Sequence, residues 1–507
     1  ISEDKNFALD LNSYTIRAFN DEYLFSNSGT ININDTSESS TDNNGITTYK
    51  GKIIVGSAGL MENYGNLTLK GGTLTSDLSV TDYIKNTNVM NIDNINITVG
   101  NSSTNLIKNS GTLMINNGTF IANKAAGSIV SNDSNGEMTI KSGYYKLTGS
   151  DWKWKYLISN SGKANIYGGT IDIWADDTSS NPYNSGSYLY NAKGAIANIE
   201  NLKITSRPIY SIYNLGTVDV TNSILTDRVI NAETGIMNLT NTIVNSQSYN
   251  FKEVTNSGTG EINIDGGEYN IPVNNSSTGT INVKSGTINN SVTNSSTGII
   301  NIGVKDGVVN KESPLISTTS TTISNVSGTF NFYDGTIKGS PSIYGSISEI
   351  EEDNDLIKEK EDNLEIIYLD KEYVAQIKST EEKYYTLQEA INAVTKEADE
   401  VKLLRNIVTL PDAETILIPS EKNIILDLSG YEINQNNTKY IENNGIMNLK
   451  DSSESTTDSN GVTTYKGKFI TTKDNIIGNN GTLIIDGGTF TSDLSVNNII
   501  VNSGNLT

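Results

Sequence analysis

The chain of 507 residues contains no cysteine and no histidine. The first absence removes disulfides, thiolate nucleophiles and thiolate-ligated zinc or iron–sulfur centres. The second removes the commonest general base and the commonest transition-metal ligand. Chemistry, if any, must then use carboxylates, lysine, tyrosine or hydroxyl groups. Arginine is scarce too: only Arg17, Arg207, Arg228 and Arg405 occur, far apart along the chain. Positive charge is outnumbered, with 36 basic against 58 acidic residues and a net charge of −22. So acidic a surface repels phosphate backbones, which argues against nucleic acid as a partner, and it favours solubility in an extracellular setting. There is no apolar run long enough to span a bilayer, so no direct membrane insertion is expected of this segment. No secretory leader or wall-sorting tail is visible, and Thr507 falls in mid-coil after Asn502-Ser503-Gly504, so the chain reads as a window on a longer polypeptide.

What the sequence does have is repetition. The phrase Asn-Ser-Gly-Thr, or a close variant, recurs at Asn27, Asn109, Asn160 and Asn256, and a glycine-pair turn recurs at Gly71-Gly72, Gly168-Gly169 and Gly266-Gly267. The period of roughly 19 to 26 residues is too short for a βα unit and suits one coil of a β-solenoid. Within a coil such as Glu261–Asn270, Ile262 and Ile264 alternate with Asn263 and Asp265, the period of two expected when one sheet face is buried. Asn at the start of the turn (Asn27, Asn109, Asn160, Asn214, Asn256, Asn294) tolerates left-handed backbone and can form side-chain ladders between coils. Coils stacked ~4.8 Å apart would make the ~14 coils before residue 345 a rod on the order of 65 Å long.

A longer period overlies the short one. Asp35–Val55 (DTSESSTDNNGITTYKGKIIV) returns as Asp451–Thr471 (DSSESTTDSNGVTTYKGKFIT), an offset of 416 residues. With one residue of slippage Leu9–Tyr14 maps onto Leu426–Tyr431, and Ile1 onto Ile418. Between the copies, Ser348–Asn363 is a dense charge run without turn glycines and reads as a partly helical, solvated connector. Thr386-Leu387-Gln388-Glu389 is a capping box, followed by Leu387, Ala390, Ile391 and Val394 at helical spacing to about Ala398. Tyr384–Ala398 is expected to cover the exposed end of a second solenoid. The fold expectation is therefore all-β: a right-handed parallel β-helix in tandem domains joined by a short α/β capping segment. Its divisions are a first solenoid over 1–345, an acidic connector over 346–371, a helix-containing cap over 372–423 and the start of a second solenoid over 424–507.

Glu372–Ile377, Tyr385–Ala393, Val401–Leu404 and Ile424–Tyr431 together resemble the entry to pectin-lyase-like right-handed parallel β-helices, in large modular cell-surface proteins of Gram-positive bacteria. The resemblance implies the fold, an extracellular location, and an adhesive or scaffolding role. It carries over no catalytic residue. The Gly-His-Gly phrase of related polygalacturonases cannot exist without histidine, and the arginines lack the acidic cluster that pectate lyases use to hold calcium.

Three residue groups are candidates for binding. Trp152, Trp154 and Trp174, with Tyr156, fall close together; Tyr144, Tyr145 and Tyr167 lie nearby, beside the long insertion Asp176–Tyr188. Exposed aromatics are platforms for sugar rings, while packing of that loop is the alternative. Asp176 and Asp177, the only adjacent aspartates of the solenoid body, are candidates for a glycosidase acid and base or for a Ca²⁺ site, against the plainer reading of a hydrated loop. Asp35, Glu38 and Asp42, with Asp451, Glu454 and Asp458, are a weaker pattern of the same kind. No other cofactor is expected. The functional expectation is a non-enzymatic surface fibre, stalk or adhesin whose partners are other copies or other surface components, with host or matrix glycans as further ligands. A glycan-binding module, and a polysaccharide lyase or hydrolase using carboxylates and lysine, remain the alternatives.

Overall fold

The computed structural model describes residues 1–507 except 20–21, 43–45, 57–58, 77, 79, 81, 100–104, 124–126, 149–155, 174–186, 207, 248–251, 307–308, 352–353, 371–372, 409–414, 436–440, 459–460, 472–475 and 493–497. The chain forms two compact units, Ile1–Asp370 and Lys371–Thr507. It is all-β, with parallel coils stacked into a β-solenoid of about 19 turns. No helix among the described residues is long and apolar enough to cross a membrane.

Each coil of the first unit contributes to two sheets. A short strand such as Val254–Asn256 belongs to a 14-stranded sheet, and the rest of the coil, here Glu261–Tyr269, belongs to a second, 26-stranded sheet that bends at the glycine turns. The alternation expected from the sequence places Ile262 and Ile264 wholly inside. Parallel pairing sets Ile262 between Met237 and Ile281, and Ile264 between Leu239 and Val283. Repeated coil after coil, this register makes continuous apolar columns, each buried aliphatic contributing about 1.5–3 kcal/mol. At the bend, Gly267 has φ +88°, and a Cβ there would lie 2.1 Å from the carbonyl oxygen of Thr242 in the coil before. Only glycine allows coils to approach so closely at that point.

Where each short strand meets its turn, an asparagine points inward. Asn27, Asn63, Asn86, Asn109, Asn132, Asn160, Asn191, Asn214, Asn231 and Asn256 form one chain, each Nδ2 donating to the Oδ1 of the next at 2.7–3.2 Å. The same Nδ2 groups also donate to turn carbonyls, as Asn160 does to Gly162 and Ile196. The ladder thus satisfies polar groups that closely packed turns would otherwise leave buried and unpaired. A second, outer row links Asp219, Asn238, Asn263, Asn282, Asn301 and Asn331 at 2.6–2.9 Å.

The charge run after the first solenoid is not helical. Asp355–Glu361 and Leu364–Asp370 form an antiparallel hairpin, turned at Asp362 (φ +55°), and the second strand pairs antiparallel with Thr336–Gly339. Ile367 and Leu369 enter the core while Lys358–Glu361 stay exposed. The apolar alternation of Leu364–Leu369 decides the outcome: its buried face pulls the charged strand beside it, which isolated helix propensity cannot match.

In the second unit, the helix Leu387–Ala393 carries the expected capping box: Glu389 N–H donates to Thr386 Oγ1, and Thr386 N–H to Glu389 Oε2, both at 3.1 Å. Leu387, Ala390, Ile391 and Val394 are buried as their spacing requires. The helix ends five residues before Ala398, because Val394 has already left helical geometry and Ala398 takes φ +54° on entering the strand Asp399–Leu403. Strands Ile416–Ile418 and Asn423–Asp427 follow in a unit with its own apolar core.

Candidate functional site

The penultimate residue of each short strand faces outward, since its neighbours on either side face the core. In three successive coils the strands are Tyr156–Asn160, Ser187–Asn191 and Tyr210–Asn214, followed by Arg228–Asn231. Pairing aligns Ser159, Tyr190, Tyr213 and Ile230, and sets Tyr210 beside Arg228. The result is an aromatic ladder along the outside of the solenoid. Tyr156 and Tyr190 lie 5.0 Å apart between ring centroids, Tyr190 and Tyr213 6.0 Å, and Tyr213 and Tyr210 5.4 Å in an edge contact. The Arg228 guanidinium sits 5.5 Å from the Tyr210 ring and donates through Nε and Nη2 to Glu253 Oε1 at 3.1 and 2.7 Å.

The electrostatics keep this surface neutral. Burial raises the hydroxyl pKa of Tyr156 and Tyr213, so both stay protonated phenols at physiological pH. Burial also pushes Glu253 up, but the Arg228 hydrogen bond, with help from Thr255 and Asn274, brings it below the usual carboxylate range. Because Tyr190 and Tyr213 stack within 19° of parallel, their faces cover one another and present edges and hydroxyls. Such a strip offers hydrogen-bond donors and acceptors beside apolar carbon, the combination that recognises polyhydroxylated ligands.

Tyr156 is thus brought into an aromatic group, but with partners from later coils rather than those near it in sequence. Trp152, Trp154, Trp174, Asp176 and Asp177 lie outside the described residues. Tyr145 is not on this surface: it is buried in the core, stacked 5.0 Å from Phe120. Tyr144 faces out on another sheet, where it and Lys146 donate to Asp172 Oδ2 at 2.5 and 2.9 Å. Tyr190 and the pair Tyr210 and Tyr213 escape a reading of the sequence because each lies a coil or more away from Tyr156 along the chain. Aligning each Tyr to the following Asn of its strand would have revealed them.

The duplicated loop uses its carboxylates on its own backbone. Asp35 accepts from the amides of Ser13, Ser37 and Gly51 at 3.1, 3.2 and 2.7 Å. Asp451 accepts from Gly430, Ser453 and Gly467 at 2.8, 3.1 and 2.7 Å. Asp42 holds Ile46 N–H, and Asp458 holds Val462 N–H, each at 2.9 Å. Glu38 pairs with Lys50 and Glu454 with Lys466. These carboxylates order a small hairpin in both copies (Ser40–Thr41 with Thr47–Thr48, Thr456–Thr457 with Thr463–Thr464). No group of three or more acidic side chains placed for a metal ion occurs among the described residues.

Two clefts lie elsewhere on the surface. One, of about 360 Å³, lies by the C-terminal hairpin of the first unit, between Lys311, Glu359 and Tyr368. The other, of about 330 Å³, lies in the second unit, where Glu400 accepts from Lys378 at 3.0 Å and Lys450 at 2.7 Å. Lys450 also lies 3.8 Å from Asp427 in the same cleft. No family model, no curated protein and no solved structure matches this chain.

Proposed function

We propose that this chain is part of a non-enzymatic structural protein of a bacterial cell surface, in which tandem right-handed β-solenoids of the pectin-lyase-like kind build an extended extracellular fibre, stalk or adhesin. One observation carries the reading: the hydrogen-bonded asparagine chain from Asn27 to Asn256, laid over continuous aliphatic columns, devotes the interior to stiffness rather than to a site. The near-copy of the first coils some 416 residues later supports a tandem array, since the duplicated loop repeats its internal hydrogen bonds as well as its sequence. Partners of such an array are other copies of itself or other surface components. Electron microscopy of the intact native protein tests the reading. Fibres with domain-length beading are expected; isolated globules would refute it.

A second reading, glycan binding, draws on the Tyr156–Tyr190–Tyr213–Tyr210 ladder and the paired Arg228 beside it. Tyr190→Ala with Tyr213→Ala should abolish glycan-array signal while circular dichroism stays unchanged, and retained signal would remove this reading. A carboxylate-based lyase or hydrolase is less favoured, and release of reducing sugar from acidic polysaccharides would reinstate it.

A further inference from the structure

The two units begin with the same coil in different surroundings. In the second unit, strands Asn423–Asp427, Glu432–Gln435 and Ile441–Asn443 are each paired on both sides. Asp399–Leu403, Ile407–Val408 and Ile416–Ile418 precede them in parallel ladders, and the next coil follows. Their counterparts in the first unit are Asn6–Asp10, Thr15–Ala18 and Phe25–Asn27. Among the described residues their ladders run on one side only, and on the other side Ile1 alone reaches Phe25–Asn27, donating its N–H to Ser26 O at 2.7 Å.

The correspondence extends to single hydrogen bonds. Ser28 N–H donates to Ile1 O at 2.8 Å, as Asn444 N–H does to Ile418 O at 2.9 Å; Lys52 N–H donates to Tyr14 O at 2.9 Å, as Lys468 N–H does to Tyr431 O at 3.2 Å. Burial differs where the pairing differs. Ile424, Leu426, Ile433 and Ile441 are all 0 % exposed. Phe7, Leu9, Ile16 and Phe25, which occupy the same places, are only half-buried. In the second unit the cover comes from Leu387, Ala390 and Ile391 of the helix and from Val401, Leu403 and Ile418 of the strands, which share one core with the strands they cover.

A row of unpaired strand edges over half-buried aliphatics is a template for added strands. We propose that the end of the first unit formed by Asn6–Asp10, Thr15–Ala18 and Phe25–Asn27 is a docking surface for a further copy of the segment spanning residues 371–417. The copy seats in the register seen in the second unit: its Val401 against Leu9, its Ile407 against Ile16, its Ile416 against Phe25. One feature differs. Asn34 stands where Lys450 donates to Glu400, so in the added copy the Glu400 carboxylate accepts from Asn34 Nδ2 instead of from a lysine. The inference rests on the tandem-solenoid reading but fails separately from it, because fibres in the microscope do not depend on which segment covers this end.

Hydrogen exchange on the full chain tests it, with an added copy of residues 371–417 joined directly to Ile1. That junction keeps register because Ile418 is the counterpart of Ile1. In the unaltered chain, amides of Asn6–Asp10 should exchange faster than those of Asn423–Asp427. The added copy should slow them, and those of Thr15–Ala18 and Phe25–Asn27, at least about tenfold. The same addition bearing Ile391→Asp and Val401→Asp should give no slowing. Equal protection of the two ends in the unaltered chain, or an added copy that is digested by protease without changing exchange at Asn6–Asp10, would overturn the proposal.

Discussion

Replacing Asn160 by alanine tests the central physical claim, that the buried amide chain holds the coils together. Asn160 Nδ2 donates to Asn191 Oδ1 at 2.8 Å, to Ile196 O at 3.0 Å and to Gly162 O at 3.2 Å, while its Oδ1 accepts from Asn132 Nδ2 at 2.8 Å. Alanine removes them all. Asn132 keeps its bonds to Gly136 and Lys163, so it is orphaned only in part. Asn191 Oδ1 loses the donor seated on it in a position 0 % exposed. A net hydrogen bond contributes about 0.5–1.5 kcal/mol, and a buried acceptor left bare costs about 1–3 kcal/mol, so the substitution should destabilise by roughly 2–4 kcal/mol. Asn198→Ala is the matched control, since its amide makes one exposed bond to Asn165 at 2.8 Å and should cost no more than about 0.5 kcal/mol. Asn160→Asp should be worse than alanine at neutral pH, because a carboxylate would face the Asn191 oxygen and two carbonyls. The assay is urea unfolding followed by tryptophan fluorescence, which reports on the first unit alone because Trp152, Trp154 and Trp174 all lie there. If Asn160→Ala and Asn198→Ala shift the curve equally at unchanged slope, the ladder is ornamental and the reasoning fails.

Glycine substitutions should separate two costs. Gly258→Ala sets a Cβ 2.0 Å from Glu233 O and should lose about 3 kcal/mol or more, whereas Gly194→Ala, at φ +80° with nothing within 4 Å, should lose only about 1 kcal/mol; equal losses in thermal unfolding would count against close coil approach. With no histidine, stability should be flat between about pH 5.5 and 8.5. Burial raises the pKa of Asp35, but the Ser37 hydroxyl and the amides of Ser13, Gly51 and Ser37 lower it further, so its net shift is downward. Its stabilisation is then complete above the unfolded value of about 3.9 and disappears as pH falls through the lower folded value, and Asp35→Asn should flatten that acid limb of the melting-temperature profile. Millimolar calcium should move the melting temperature by less than about 1 °C, since Asp35 and Asp451 are committed to backbone amides; a larger rise would reveal a site that this geometry does not supply.

Much of the fold was legible because a solenoid repeats its local rules. Ile262 and Ile264 declare the inward face by alternation alone, and Thr386 with Glu389 declares the helix start by chemistry acting over four residues. The ladder was only half visible: Asn27, Asn109, Asn160, Asn214, Asn256 and Asn294 stand out through their recurring turn phrases, but Asn63, Asn86, Asn132, Asn191 and Asn231 do the same work in altered ones. Their common mark is a position, the last residue of a short strand, and position becomes visible only once coils are in register. Leu364–Leu369 reads as a strand from its own alternation, but the charged strand beside it, Asp355–Glu361, is obscured for the opposite reason. Its charges advertise a solvated helix, while the strand it pairs with is itself fixed by Thr336–Gly339, some thirty residues earlier. The tyrosine ladder failed in the same way, being assembled from residues spaced by whole coils.

The two asparagine rows of the first unit point in opposite senses. Along the interior every Nδ2 reaches toward the later coil, and its extra bonds to carbonyls fix that orientation. Along the exterior, Asp219 can only accept, so Asn238 must donate backward to it, and Asn263, Asn282, Asn301 and Asn331 fall into line behind. Where both rows run, their side-chain dipoles oppose one another. An α-helix accumulates partial charge at its ends because all its amide dipoles add. In the coils around Asn231 and Asn256, where the inner and outer rows run side by side, that build-up of electrical polarity is offset coil by coil.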